Sequence, residues 1–314
     1  MLNLVRGRVY SIGMYAGPSP LHLEPASLAS NPVLTRDSPT GILSTYVADP
    51  FMICHEDRWI MFFEVVTWRR GSRKGEIAYA SSPDGLRWHY EGLALVEPFR
   101  LSYPYVFAAA GEHWMIPETG EAGAVRLYRA DPFPDRWTLE TDLLTDGHYL
   151  DSSVFRHDDR WWMFSLTHHT LGTLRLFHAA DLTGPWREHP ANPIVAADRR
   201  ISRPAGRVVS WDGRPIRFAQ DCRVAYGTAV QPFVITRLTD TEYAEEEFGD
   251  APLLTGTGSG WNRLGMHHVD AHQLADGSWL ACVDGWTKKV RRPREIMRWV
   301  GDQVLERRPR ASRA

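Results

Sequence analysis

Residues 49–64 read DPFMICHEDRWIMFFE. A short apolar run meets the polar turn HEDR, and a second apolar run opens on Trp59. This is the pattern of a β-hairpin whose turn carries residues that tolerate the left-handed backbone of a tight connection. The phrase returns four times: YPYVFAAAGEHWMIPE at 103–118, DSSVFRHDDRWWMFS at 151–165, RPAGRVVSWDGRPIRFAQD at 203–221 and VDAHQLADGSWLACVD at 269–284. Four of the five second strands begin near an aromatic, namely Trp59, Trp114, Trp161 and Trp279.

Further strand-like segments follow most hairpins, running through Trp88, Trp137, Trp186 and Tyr243, and the three tryptophans recur every 49 residues. A period of about 50 residues with four strands per unit is that of a propeller blade. The chain is therefore expected to be all-β: a five-bladed β-propeller with four-stranded blades, in one domain over residues 1–300. The alternative is a β-sandwich with coincidental spacing. Little strand-like sequence follows Trp286, whereas residues 9–35 resemble the second half of a blade. The N-terminal segment is expected to pair with the C-terminal blade and close the ring, which removes exposed sheet edges. Residues 301–314, with Arg307, Arg308, Arg310 and Arg313, read as a frayed basic tail.

Composition limits the remaining classes. With 314 residues, 43% hydrophobic and 24% charged, the chain can bury a full core and is not a disordered chain. A formal charge of −2 gives no basic excess for nucleic acid. Three cysteines, Cys54, Cys222 and Cys282, form no CxxC pair, so no zinc site is signalled, and their scarcity suits a reducing compartment. No apolar run reaches membrane-helix length and no signal-like segment opens the chain, so a cytoplasmic protein is expected.

In a propeller, the start of each first strand and the end of each second strand converge on one mouth of the central channel. The starts are Asp49, Tyr103, Asp151, Arg203 and the run from His267 to Asp270; the ends are Glu64, Glu118, Ser165, Gln220 with Asp221, and Asp284. Acids recur at this phase, and that makes Asp49, Asp151, Glu118 and Asp221 candidate catalytic groups. Glu64, Tyr103, Arg203, Arg207, His169, His268, Asp270 and Trp286 are candidate substrate-binding groups. Arg203 and Arg207 could grip a carboxylate or phosphate, or neutralise Asp49 or Asp151. Asp284 could equally be a turn residue. Adjacent His267 and His268 point to opposite faces of a strand and do not chelate as a pair. Trp68, Tyr103, Tyr149 and Trp286 could stack on a sugar.

Through ADPFMI, the phrase A-x-S-x-D-G-x-x-W (Ala80, Ser82, Asp84, Gly85, Trp88) and LDSSVF, the chain resembles the five-bladed propeller glycoside hydrolases, family 43 and its invertase-like relatives among them. Through SIGMYAGPSP, NPVLT, VADPFM, EPFRLSYPYVF, MIPE, LYRA, RPAGR and QDCRVAYG it more closely resembles the N-terminal propeller domain of the plant glucosamine inositolphosphorylceramide transferases and its bacterial stand-alone relatives. That likeness covers roughly residues 10–285. The plant proteins carry a separate glycosyltransferase domain, so the likeness implies the propeller and not the transferase activity. The hydrolase likeness implies Asp49 as base or nucleophile and Asp151 as the residue that orients the acid. It also implies that His268 is the blade-five histidine near which some members bind calcium. Those families take their acid from a Glu of a later blade; here Glu118 and Asp221 are the candidates. No cofactor is expected beyond a structural calcium or a water near His268.

Three functions fit these residues: a glycosidase-like enzyme, a non-hydrolytic enzyme using the same acid/base groups, and a non-catalytic sugar- or anion-binding propeller. Each takes a small molecule or glycan as partner, with no nucleic acid and no membrane span. The sequence leaves the oligomeric state open.

Overall fold

The structure, a computed structural model, describes residues 6–69 and 72–290; the expected C-terminal tail and the side chain of Trp68 lie outside the described residues. It is a five-bladed β-propeller. Blade one comprises Ser44–His55, Arg58–Arg69, Ser72–Ser82 and His89–Leu95 from the channel outward. Blade two comprises Ser102–Ala109, Glu112–Glu118, Val125–Ala130 and Trp137–Leu144. Blade three comprises Leu150–His157, Arg160–His168, Thr173–Ala179 and Arg187–Glu188. Blade four has a divided inner strand, Arg203–Pro204 and Val209–Trp211, both paired with Arg214–Asp221, then Ala229–Leu238 and Tyr243–Glu247. Blade five is made from both ends of the chain: Gly265–Gln273 and Trp279–Val290, then Arg6–Ser19 and His22–Pro25. The pairing of Arg6 through Gly17 against Val290 through Trp279 is the expected ring closure. No helix among the described residues is long and apolar enough to cross a membrane.

Local chemistry explains the hairpins. The inner hairpins of blades one to four turn on two residues with positive φ: Glu56–Asp57, Ala110–Gly111, Asp158–Asp159 and Asp212–Gly213. Two successive left-handed residues match the strand twist, and Asp and Gly reach that region at least cost. The 49-residue tryptophan repeat is also local in origin. Trp88, Trp137 and Trp186 each donate their indole N–H to a carbonyl three or four residues back, at 3.1, 2.8 and 3.0 Å. The rings thereby cap the outer strand and fill the space between blades.

One irregularity recurs on the inner strands. Asp49, Tyr103 and Asp151 have φ of 53°, 46° and 49°, and at each the register with the second strand slips. Each is a β-bulge at the mouth end of its strand, a device that re-aims a side chain. Blade four breaks instead at Gly206, whose φ is 130° and which bridges to Val269 of blade five.

Below the mouth the channel is filled. Tyr103 is fully buried; its hydroxyl meets Ser153 Oγ at 2.8 Å, accepts the Gly206 N–H at 2.7 Å and donates to the Gly206 carbonyl at 3.1 Å. Arg207 crosses the channel from blade four. It donates to Asp270 Oδ1 at 2.6 Å and to the Val106 carbonyl at 2.8 Å, and it stacks over Tyr105. Asp270 also accepts the Met52 N–H at 2.7 Å and pairs with His272 at 3.0 Å. Burial alone would raise the Asp270 carboxyl, but Arg207 and His272 outweigh it and hold it well below the usual carboxylate range. Tyr103, Arg207 and Asp270 are therefore not substrate contacts at the mouth, as their phase suggested. The bulge and the Gly206 break send them down the channel, where they tie all five blades together.

Two predictions follow from this packing. A Cβ on Gly206 would sit 1.8 Å from the Val269 carbonyl oxygen, so Gly206→Ala is expected to lower unfolding free energy by at least about 2 kcal/mol in a denaturant titration. Arg207→Met leaves the fully buried Asp270 charge without its main partner and is expected to cost ~3–5 kcal/mol by the same titration.

Candidate functional site

The channel mouth opens into a cavity of ≈ 500 Å³. Every blade reaches it: Asp49 and Glu64 from blade one, Ser102 and Glu118 from blade two, Leu150 and His169 from blade three, Arg203 and Tyr226 from blade four, and Tyr10 and His267 from blade five. Arg8, Arg36 and Arg100 add positive charge around the rim.

One polar group centres on Asp49. Its carboxyl accepts the Tyr103 N–H at 3.3 Å and faces His267 Nε2 at 3.5 Å. The other ring nitrogen of His267, Nδ1, is bonded to Asp284 Oδ1, and Asp284 Oδ2 accepts the Asp49 N–H at 2.9 Å. The rings of Tyr10 and Tyr226 pack against the imidazole, with centroids at 4.8 and 5.2 Å. Burial pushes the Asp49 carboxyl up to about 8; His267 opposes that rise, while Glu64, Asp284 and Asp151 add to it. Burial works against a charged His267, yet Asp284 above all raises it, so the ring favours the imidazolium. Asp284 is held low against its own burial by the same partner.

A second group centres on Glu118 and Asp151. Arg203 Nε lies 2.5 Å from Asp151 Oδ2 as a close ion pair, with the guanidinium 3.7 Å from Glu118 and its carbon 4.9 Å above the Tyr226 ring. Gln220 donates to Asp151 Oδ2 at 3.3 Å and to the Pro204 carbonyl at 2.8 Å. The Asp151 carboxylate lies near Glu118. Burial, then the Asp151 charge, raises the Glu118 carboxyl well above its ordinary value despite Arg203. Glu118 is therefore disposed to keep a proton. Glu64 is clamped by Arg100 through two hydrogen bonds at 2.8 and 3.2 Å.

Of the residues expected at the mouth, Asp49, Glu64, Glu118, His169 and Arg203 line the cavity, and Asp151 backs it through Glu118 and Arg203. Asp221 does not: it pairs with Arg223 at 2.7 Å outside the cavity. Its strand ends at Asp221, and the neighbouring Gln220 donates to Asp151 behind the cavity instead. Trp286 donates to the Gly227 carbonyl at 2.7 Å beneath Arg8 and offers no face to the cavity. His268 also lies below the mouth. The inner strand of blade five slips register between Met266 and His268, and this turns His267, not His268, to the cavity. No sequence pattern signalled that parity change. Arg8, Tyr10, Tyr46 and Arg36 were hidden for another reason, since the segments that carry them have no counterpart in the hairpin repeat.

Side chains able to ligate a metal lie at two places. His268 is enclosed edge-on by Phe51 and Tyr103, its ring nitrogens have no well-formed hydrogen bond, and burial lowers it to about 4. Calcium takes six to eight oxygen ligands, water among them, and Phe51 and Tyr103 present aromatic rings rather than carboxylates to His268. Asp49, His267 and Asp284 place one potential ligand atom each within 4.8 Å of one another, the one such group among the described residues. Asp284 already has both oxygens engaged, by His267 Nδ1 and by the Asp49 N–H, and His267 Nε2 faces Asp49 at 3.5 Å.

Solved structures share the architecture. A family 117 glycoside hydrolase produced by Zobellia galactanivorans superposes with TM-score 0.54 at 14% identity, covering 96% of this chain and 99% of that one. The α-L-arabinanase of Cellvibrio cellulosa complexed with arabinohexaose gives TM-score 0.54 at 14% identity, covering 77% and 95%. At the sequence level the chain is 39% identical over 299 residues to glucosamine inositolphosphorylceramide transferase 1 of Oryza sativa subsp. japonica. It is 34% identical over 298 residues to that of Arabidopsis thaliana. Each match covers 88% of this chain, but only 40% and 39% of the plant proteins' length. Residues 6–286 match the family described as glucosamine inositolphosphorylceramide transferase 1, N-terminal, and with the propeller and its cavity in place the chain belongs to that family.

Proposed function

We propose that the cavity binds an anionic glycan and performs glycosidase-like acid/base chemistry on it, with Glu118 as proton donor and Asp49 as base. The observation that carries this reading is the pair of cavity-lining carboxyls, on blades one and two, whose affinity for protons is raised by burial. In the step envisaged, Glu118 gives its proton to the glycosidic oxygen as the C–O bond breaks. Asp49, once ionised, takes a proton from the water whose oxygen bonds to the anomeric carbon. Asp151 and Arg203 keep Glu118 oriented. The charge of the ligand is read from Arg8, which pairs with no carboxylate among the described residues and donates to the Tyr226 carbonyl, and from the neighbouring arginines. The name of the plant relatives, with its inositolphosphoryl group and glucosamine, fits a sugar ligand that carries phosphate.

A second reading is binding without turnover. The Arg100–Glu64 and Arg203–Asp151 ion pairs favour it, because clamped carboxylates hold shape and charge but do not move protons.

A panel of aryl glycosides and glycosyl phosphates, with a thermal-shift screen alongside, separates the two. Turnover should increase as pH rises through about 8, because Asp49 must lose its proton to act as base. Asp49→Asn and Glu118→Gln should each lower kcat by at least about a hundredfold with folding intact. Stabilisation by ligand without turnover in the wild type would favour the binding reading. Arg8→Ala should weaken binding of a phosphorylated sugar by about tenfold and leave a neutral sugar unaffected.

A further inference from the structure

We propose that His267 and Asp284 of blade five are positioning residues for Asp49. In this arrangement Asp284 anchors both the His267 imidazole and the Asp49 main chain, and the imidazolium it holds decides when Asp49 carries its proton. The inference rests on the reading of Asp49 as a base.

The geometry is specific. Asp284 is fully buried at the middle of its strand, where an acid costs several kcal/mol unless it is paired. Both of its oxygens have partners: Oδ1 takes His267 Nδ1 and Oδ2 takes the Asp49 N–H at 2.9 Å. The second contact crosses from blade five to blade one and holds the left-handed bulge that aims Asp49 at the cavity. With Nδ1 engaged, Nε2 is directed at Asp49 Oδ1, 3.5 Å away. A tautomer and ring orientation set by a buried acid, with the opposite nitrogen facing the working group, is how an imidazole transmits charge.

Other charges meet at the same point. Asp49 is faced by Glu64 of its own blade, by Asp151 from blade three and by Asp284, all of which disfavour its ionisation. From blade two it receives only the Tyr103 N–H. Tyr226 from blade four and Tyr10 from the closing strand cover His267, and buried His268 lies beside it uncharged. His267 is therefore the group that opposes three acids and the burial of Asp49. Removing it while Asp284 stays charged would hold Asp49 protonated to higher pH. Removing the Asp284 charge would also release the proton of His267, and the effect on Asp49 would have the same sign but be smaller.

The test uses the full chain labelled with 13C at histidine Cε1 and aspartate Cγ. The His267 and Asp49 signals are assigned by His267→Gln and Asp49→Asn. The expected result is a His267 imidazole that keeps its proton well above pH 6.5 in the wild type, and that titrates at least about one pH unit lower in Asp284→Asn. The Asp49 signal should move up by at least about one unit in His267→Gln, and by less in Asp284→Asn. The limb of any pH–rate profile should move with it, while kcat on the plateau falls less than in Asp49→Asn. Asp284→Asn keeps the side-chain volume and serves if His267→Gln does not fold. A His267 signal in the ordinary histidine range, or an Asp49 signal unmoved by either variant, overturns the proposal. Because both signals are read without substrate, absence of turnover would count against the enzymatic reading and not against the positioning pair.

Discussion

The left-handed bulge at the mouth end of the inner strands is the constraint on which the site depends. A regular strand would alternate its side chains between the two faces of the blade and leave the mouth lined by backbone. One residue with φ near 50° breaks that alternation on blades one, two and three. At Asp49 and Asp151 the bulge delivers a short acid to the cavity and its backing layer. At Tyr103 it delivers a long ring that spans the channel to Gly206 and Ser153 and closes the floor. Aspartate reaches this conformation readily, whereas tyrosine does so at a cost that its buried hydrogen bonds offset.

Burial then determines what the acids do. Four of the acids near the axis have a dedicated cation: Glu64 with Arg100, Asp151 with Arg203, Asp270 with Arg207 and Asp284 with His267. In a low-dielectric channel these pairs are needed to keep the charges at all, and the Arg203 and Arg207 pairs join blade four to blades three and five. Asp49 and Glu118 have weaker compensation, with cations at 3.5 and 3.7 Å, and are the two that hold protons. On the proposed reading, structural and chemical roles are separated by distance to a cation, not by residue type.

The propeller fold does not choose among the chemistries it hosts. Likeness at 14% identity to glycoside hydrolases establishes a scaffold, and likeness at 34–39% to the plant transferases establishes a family. What distinguishes this cavity is its combination of raised carboxyls with an arginine rim. The proposal of an anionic rather than a neutral sugar rests on that combination.

The blade repeat, its tight turns, the tryptophan spacing and the closure of the ring by the N-terminal strands were all legible in the sequence. Each arises from local chemistry: the period of two along a strand, the positive φ that Asp and Gly accept, an indole donating to a carbonyl three or four residues away. Phase along the hairpin also brought Asp49, Glu64, Glu118, Asp151 and Arg203 to the right end of the channel. Phase did not settle depth or parity. His267 rather than His268, Gln220 rather than Asp221, and Arg207 beneath the mouth rather than at it all follow from register slips and from the break at Gly206. The role of Asp284 belongs to the same class, because the contact that defines it joins residues 235 positions apart. Those outcomes depend on contacts between blades, and only the closed ring brings those contacts into being.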